Sequence, residues 1–347
     1  MENINVVGID LAKEIFQIHG NDKHGRCVVK KRLTRRKLPD FLANLPKCIV
    51  AMEACGGANY WARKSLAFGH EVKLISPQFV KPFVKSNKND SADAEAIAEA
   101  AVRPNMRFVS MKSHEQQDLQ ILHRVRERMV KERTAICNQI RGFLQEYGLV
   151  TAQGIARLKK DLPLMIADEK NELTPMTREI LLDLSVQLRV ADERVGIYDA
   201  KILQISRKSA TCQRLEKIPG IGPMTSTTVM ATVGDPKVFK NGREFSAYVG
   251  LVPRQHSSGG KSVLLGISKR GDIYLRKLLI HGARSVIRFC DTRDDARSRW
   301  IQNLVLRCGK NKAAVALANK NARTVWALMA TGREYDLSKT MTDQKAA

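Results

Sequence analysis

The chain has no uninterrupted apolar stretch approaching the ~18 residues that a membrane-spanning helix needs. Its opening residues lack the basic-then-apolar layout of a secretion signal and run straight into a strand-like segment. No Cys-x-x-Cys pair occurs, and the seven cysteines (Cys27, Cys48, Cys55, Cys137, Cys212, Cys290 and Cys308) are scattered and odd in number. That pattern argues against a zinc site and against a disulfide framework, and makes the reducing cytoplasm the expected compartment. The histidines show no ligand spacing. Acid is also scarce: 35 Asp and Glu face 59 Lys and Arg, a net charge of +24. A surface that basic attracts polyanions, of which nucleic acid is the commonest.

What acid there is falls in telling places. Asp10 ends the apolar run Ile4-Asn5-Val6-Val7-Gly8-Ile9, and Glu53 ends the run Cys48-Ile49-Val50-Ala51-Met52. Asp90 and Asp93 open an Ala-rich helix and, three residues apart, share one of its faces. Each has a bland reading: a turn former, a solvated strand end, or a carboxylate answering the helix dipole. Gathered at one sheet edge, however, four carboxylates repel one another unless a cation sits among them. An all-oxygen donor set of that kind suits Mg²⁺ or Mn²⁺, and two such metals about 4 Å apart clamp the attacking and leaving oxygens of a phosphodiester.

At 347 residues and 44% hydrophobic, the chain is long enough for two or three domains with real cores. We divide it into residues 1–108, 109–207, 208–335 and a tail, 336–347. The first region reads as α/β. Strands are expected over 3–10, 15–20 and 26–33, the last two joined by a turn at Gly25. A helix over 38–45, the strand ending at Glu53, a helix over 58–68, a strand over 71–76, a lysine-rich stretch over 81–88 and the helix from Asp90 follow. Three leading strands, then alternating helices and strands with acids at strand ends, describe a ribonuclease H-like fold.

The second region reads as long helices. Ser113-His114-Glu115-Gln116 matches a capping box, after which Leu122, Val125, Met129, Ile136, Ile140, Phe143 and Tyr147 keep near-heptad spacing with a polar break at Glu132-Arg133. Leu181, Leu184, Leu188, Ala191, Val195, Tyr198, Ile202 and Ile205 alternate by three and four, behind Thr174 as N-cap and Pro175 as first helical residue. A seam of that length predicts a coiled coil, between subunits or as a hairpin within one chain.

The third region is expected to be mainly helical. It opens with Ile218-Pro219-Gly220-Ile221-Gly222-Pro223-Met224-Thr225, similar to a helix-hairpin-helix element whose turn, at Gly220 and Gly222, meets a phosphate. The plainer alternative is a tight turn between packed helices. A polar, Gly-rich loop then runs from Pro253-Arg254-Gln255-His256 through Ser257-Ser258-Gly259-Gly260-Lys261, and cations recur at Lys269, Arg270 and Arg276.

Taken in order, Gly8-Ile9-Asp10-Leu11-Ala12-Lys13, Met52-Glu53-Ala54-Cys55-Gly56-Gly57 and Asn89-Asp90-Ser91-Ala92-Asp93-Ala94 resemble the RuvC-like domain of DEDD-type insertion-sequence transposases, which are related to Piv-type DNA invertases. The Ile218–Thr225 turn, Gly250-Leu251-Val252-Pro253-Arg254, Ser258-Gly259-Gly260 and Ser268-Lys269-Arg270-Gly271 resemble that family's second, transposase domain. The resemblance implies a DNA recombinase that mobilises an insertion sequence and is nucleoid-associated when bound to DNA. It implies Mg²⁺ on Asp10, Glu53, Asp90 and Asp93, and a serine that joins covalently to DNA. Aligned on the Gly-Leu-x-Pro-Arg motif, that serine falls on Ser258, with Ser257 one residue away. The activating metal would reach it from another domain or another subunit. Donor and target DNA, a structured bridge RNA and further copies of the chain, as dimer or tetramer, are the implied partners. Arg254, Lys261, Lys269, Arg270 and Arg276 are the cations expected at phosphate. Two rivals are weighed against this: a metal-dependent nuclease resembling Holliday-junction resolvases, which leaves Ser258 idle, and a nucleic-acid-binding scaffold, which leaves the acids idle.

Overall fold

The computed structural model describes residues 3–85 and 90–336. The end of the lysine-rich stretch, 86–88, and the tail from 337 onward lie outside the described residues. The chain divides into two compact units, one ending at Ser113 and one starting at His114.

The first unit is built on one six-stranded sheet. Its elements are β1 (Val6–Asp10), β2 (Ile15–Asn21), β3 (Cys27–Thr34), α1 (Leu38–Ala43), β4 (Ile49–Glu53), α2 (Ala58–Ala67), β5 (Glu71–Ile75), α3 (Pro77–Val80), α4 (Asp90–Ala101) and β6 (Phe108–Val109). The spatial order is β3-β2-β1-β4-β5-β6. β1, β2 and β3 run antiparallel in sequence, β4 and β5 join β1 in parallel, and β6 closes the far edge antiparallel. β6, only two residues long, carries no period that a sequence reading could detect.

β1 is apolar at successive positions because both of its faces are covered. Val7 and Ile9 join Phe16, Ile18, Met52 and Trp61 on one side. Val6 joins Ala51, Ile75, Ile97 and Ala98 on the other. Between them Gly8 faces α4: a Cβ there would overlap the carbonyl oxygen of Ala94 and lie 2.6 Å from the Ala98 nitrogen. The missing side chain, together with the alanines of α4, brings that helix down onto the strand.

The second unit is helical, apart from one hairpin. It comprises α5 (His114–Glu146), α6 (Ile155–Ala167), α7 (Pro175–Lys208), α8 (Ala210–Glu216), α9 (Pro223–Thr232), α10 (Gly242–Val249), β7 (Pro253–Gln255), β8 (Leu264–Ile267), α11 (Ile273–Arg288) and α12 (Ala296–Thr331). Thr174 caps α7 as expected, its hydroxyl accepting from the Thr177 amide at 3.2 Å. α5 and α7 lie antiparallel. Tyr147 meets Thr177 at 2.8 Å, Arg133 pairs with Asp192 at 2.6 Å, and Arg126 pairs with Asp199.

The α7 seam is therefore covered within the chain. Leu181, Leu184, Leu188 and Ala191 pack with Ile136, Ile140 and Leu144 of α5 and with Leu158 and Leu162 of α6. Two details of the α5 reading change. Phe143 is 39% exposed, and Leu144 takes the place on the seam assigned to it. Arg133 is not a break but half of the ion pair with Asp192. A separate core gathers α8 to α12 around Leu215, Phe245, Leu279, Ala314 and Val325. Among the described residues, no helix is long and apolar enough to cross a membrane.

Candidate active-site residues

Parallel pairing sets Ile9 beside Met52, so the next residues, Asp10 and Glu53, leave the sheet side by side at the C-terminal ends of adjacent strands. The close seat of α4 on β1 delivers the third and fourth acids in that helix's first turn. Carboxylate oxygens of Asp10, Asp90 and Asp93 all lie within 4.8 Å of one another. Glu53 is half-buried beside them. Burial first, then the negative charges of Asp10 and Asp93, push its carboxyl above the ordinary range. The neighbouring Cys55 thiol is raised too, by burial and then by the charges of Glu53 and Asp10.

Three carboxylates within 4.8 Å of one another, with Glu53 near enough to feel the charges of Asp10 and Asp93, form a concentration of negative charge that a hard divalent cation would relieve. The donor set is all oxygen, so the residues fit Mg²⁺ or Mn²⁺ and do not fit a thiophilic ion.

In the second unit, Ser258 sits at the tip of the β7–β8 hairpin. It forms a bridge with Lys261, whose amide donates to the Ser258 carbonyl at 3.0 Å. Gly259 and Gly260 make the turn, both with positive φ (55° and 76°), a conformation glycine adopts without penalty. Ser257 is engaged: its hydroxyl accepts from the Gln255 amide group at 2.9 Å. Among the described residues the Ser258 hydroxyl has no hydrogen-bond partner. Arg254, Lys261, Lys269 and Arg270 are all exposed on or beside this hairpin. Lys269 holds φ 55°, a left-handed backbone that a side chain rarely adopts.

Two expectations, Arg276 and Gly220, meet a different environment. Arg276 is 7% exposed, and its guanidinium donates to the carbonyls of Val249 (2.9 Å) and Arg270 (2.6 Å). Burial disfavours its charge. It ties down the base of the hairpin rather than presenting a cation to solvent. Gly220 has φ 91°, and a Cβ there would lie 2.8 Å from the Gly282 carbonyl oxygen on α11. The Pro219 carbonyl accepts from Arg297 at 3.2 Å and from Asn321 at 3.0 Å. At Gly220 the turn is thus packed against α11 and α12, as in a tight turn between helices, whereas Gly222, the N-cap of α9, has open space where a side chain would stand.

His123 was passed over by the sequence reading. It is 2% exposed at the crossing of α5, α9 and α11, meets Thr227 at 2.9 Å and Tyr274 at 3.3 Å, and burial lowers its pKa to about 4. A lone histidine on an apolar helix face gives no sequence signal for that role.

Two family models match the chain. One, described as the transposase IS116/IS110/IS902 family, covers residues 212–299. The other, a transposase model for the IS110 DEDD domain, covers residues 7–149. A probable family 20 transposase of Pseudomonas aeruginosa is 51% identical over 94% of this chain and 97% of its own length. The transposase for insertion sequence element IS1111A of Coxiella burnetii is 49% identical over 96% of this chain and 92% of its own. A pilin gene-inverting protein of Moraxella lacunata is 25% identical over 60% of this chain and 57% of its own.

Proposed function

The chain belongs to the IS116/IS110/IS902 family of insertion-sequence transposases, distantly related to the pilin gene inverters, and from that premise we propose how its residues divide the work of cutting and rejoining DNA. The order β3-β2-β1-β4-β5, antiparallel then parallel, supports a ribonuclease H-like (RuvC-like) catalytic unit. The observation that carries the reading is the convergence of Asp10, Asp90 and Asp93, with Glu53 raised beside them.

These four residues would hold Mg²⁺, with Mn²⁺ as substitute. When bound, the ion supplies Lewis-acid stabilisation of charge on phosphoryl oxygens. Asp10 and Glu53 come from rigid strand ends, and Asp90 and Asp93 from a helix locked onto β1 by Gly8, so the constellation is held before substrate arrives.

Ser258 is the proposed nucleophile. Its oxygen forms a bond to phosphorus while the bond from phosphorus to the 3′ oxygen of the neighbouring nucleotide breaks. The serine proton is balanced by the one the departing 3′ oxygen takes up, leaving a 3′ hydroxyl and a 5′ phosphoserine. The phosphodiester energy is kept in the new ester, so reversal on a different 3′ hydroxyl reseals DNA with no external energy source. The unengaged hydroxyl of Ser258 and the bound one of Ser257 favour the former. Arg254, Lys261, Lys269 and Arg270 would meet the charge at phosphate.

A bridge RNA as guide is supported by family membership and by the net charge of +24. Assembly as a homo-oligomer is supported by a second apolar stripe on α7. Leu182, Val186, Val190 and Ile197 stay exposed on the side opposite the buried seam.

The test is strand cleavage with purified protein and element-end DNA. Asp10→Asn should lose Mg²⁺-dependent cleavage by several orders of magnitude while keeping nucleic-acid affinity within a few-fold. Cleavage at the wild-type rate by this variant would remove the acids from the reaction.

A further inference from the structure

The sheet carries a feature that the catalytic reading leaves unused. Asp10 pairs across the antiparallel ladder with Gln17, and Gln17 pairs in turn with Arg32. One step along, Gly8 pairs with His19, and His19 with Lys30. Directly opposed residues in antiparallel strands project from the same face, so Lys30 and Arg32 share the face of Asp10, the one on which α4 rests. α4 covers β1, β2 and β4. Lys30 and Arg32, on the edge strand β3, remain exposed. Among the described residues neither has an ion-pair partner.

The cations on the opposite face behave differently. Lys31 lies over the Phe41 ring and Arg35 over the Trp61 ring, the two covering the apolar layer of α1 and α2. Edge strands often carry lysine to deter pairing with other sheets. That task is indifferent to which face a cation takes and to its register with the acids. Here two unpaired cations stand level with Asp10 and Gly8. Two strand spacings put the Arg32 backbone about 10 Å from that of Asp10, the axial rise of about three nucleotides.

We propose that Lys30 and Arg32 form a phosphate track on the edge strand that flanks the acidic site, holding the backbone of the DNA strand whose phosphodiester lies at Asp10, a few nucleotides from the point of cleavage. The proposal rests on the acidic site being the place where DNA is cut. The track acts by positioning: a strand held by its phosphates along the edge strand β3, beside α4 rather than beneath it, is brought level with the acids at the helix's first turn, whatever its sequence.

The experiment measures binding and cleavage separately. Affinity of the full chain for a fluorescein-labelled DNA duplex of arbitrary sequence is followed against salt in EDTA, so that no metal chemistry intervenes. Lys30→Gln/Arg32→Gln should lower the slope of log K against log salt by about 2, at about 0.9 for each phosphate no longer neutralised. Lys23→Gln/Lys47→Gln removes the same charge at the opposite strand ends of the same unit and should leave the slope near the wild-type value. Lys30→Arg/Arg32→Lys should restore it, and melting temperatures show whether every variant is folded. With element-end DNA and Mg²⁺, the Gln pair should raise KM far more than it lowers kcat. Equal slopes for the two Gln pairs overturn the track, as does an effect seen only with RNA of the same sequence. Neither result touches the acids, whose role falls only if Asp10→Asn still cleaves.

Discussion

Glu53 carries the sharpest consequence at the scale of single residues. Its carboxyl is raised by burial and by Asp10 and Asp93. In the metal-free protein it therefore binds its proton more tightly folded than unfolded. The sign follows from linkage: the folded state is at its best, as far as this group goes, below the ordinary carboxylate pKa, and it loses stability as pH rises through the raised value. Glu53→Gln should accordingly raise the melting temperature of EDTA-treated protein at neutral pH, with the gain fading as pH drops below the carboxylate range. A gain equal at both pH values would show that charge repulsion is not the cause. The positions of Asp10, Glu53, Asp90 and Asp93 were legible because each sits where an apolar run ends or an Ala-rich helix begins. Arg276 and Gly220 were not. A cation beside a Gly-rich loop and a glycine in a Pro-Gly turn read the same whether they face a phosphate or a neighbouring backbone. Only the packing of α10, α11 and α12 decides that Arg276 serves two carbonyls and that Gly220 abuts Gly282.

Among the elements, α7 is the informative one because it is apolar on two opposite sides. The three-and-four spacing revealed the side centred on Leu188 but not what covers it, since a partner subunit and α5 demand the same pattern. In the structure α5 and α6 cover it. Leu188→Ala should therefore cost about 2–5 kcal/mol of stability, as buried leucine truncations do, with no change in mass by light scattering. Val186→Lys with Ile197→Lys, on the exposed side, should reverse the pattern: a smaller assembled mass and little change in melting temperature. Unchanged mass in the second variant would remove the exposed stripe from assembly. The antiparallel pairing of α5 and α7 also explains why Phe143 misled. Heptad counting drifts against a helix of 3.6 residues per turn, and over α5 the drift is enough to move the buried position to Leu144.

For the whole molecule, a charge of +24 on a chain that must hold and release DNA predicts affinity dominated by phosphate contacts. Log affinity should fall linearly with log salt, by about 0.9 per phosphate neutralised. A flat dependence from low to moderate ionic strength would contradict this, and recombination that survives digestion of co-purifying RNA would exclude a guide. The change from mixed α/β to helix was legible from the order of strand-like and heptad-like segments; the further boundary expected near residue 207 has no counterpart in the two compact units, which part at Ser113. The β7–β8 hairpin was seen only as a loop, because Gly259 and Gly260 mask the short strands on either side. That hairpin holds the central claim. A reaction between the chain and DNA carrying its element's end, stopped by denaturation and resolved by electrophoresis, should contain protein joined to DNA, and peptide mass mapping should place the bond on Ser258. Ser258→Ala should form no adduct and no recombinant while remaining folded and binding DNA. An adduct on Ser257 would move the nucleophile by one residue; recombination by Ser258→Ala with no adduct on any residue would contradict the serine mechanism outright.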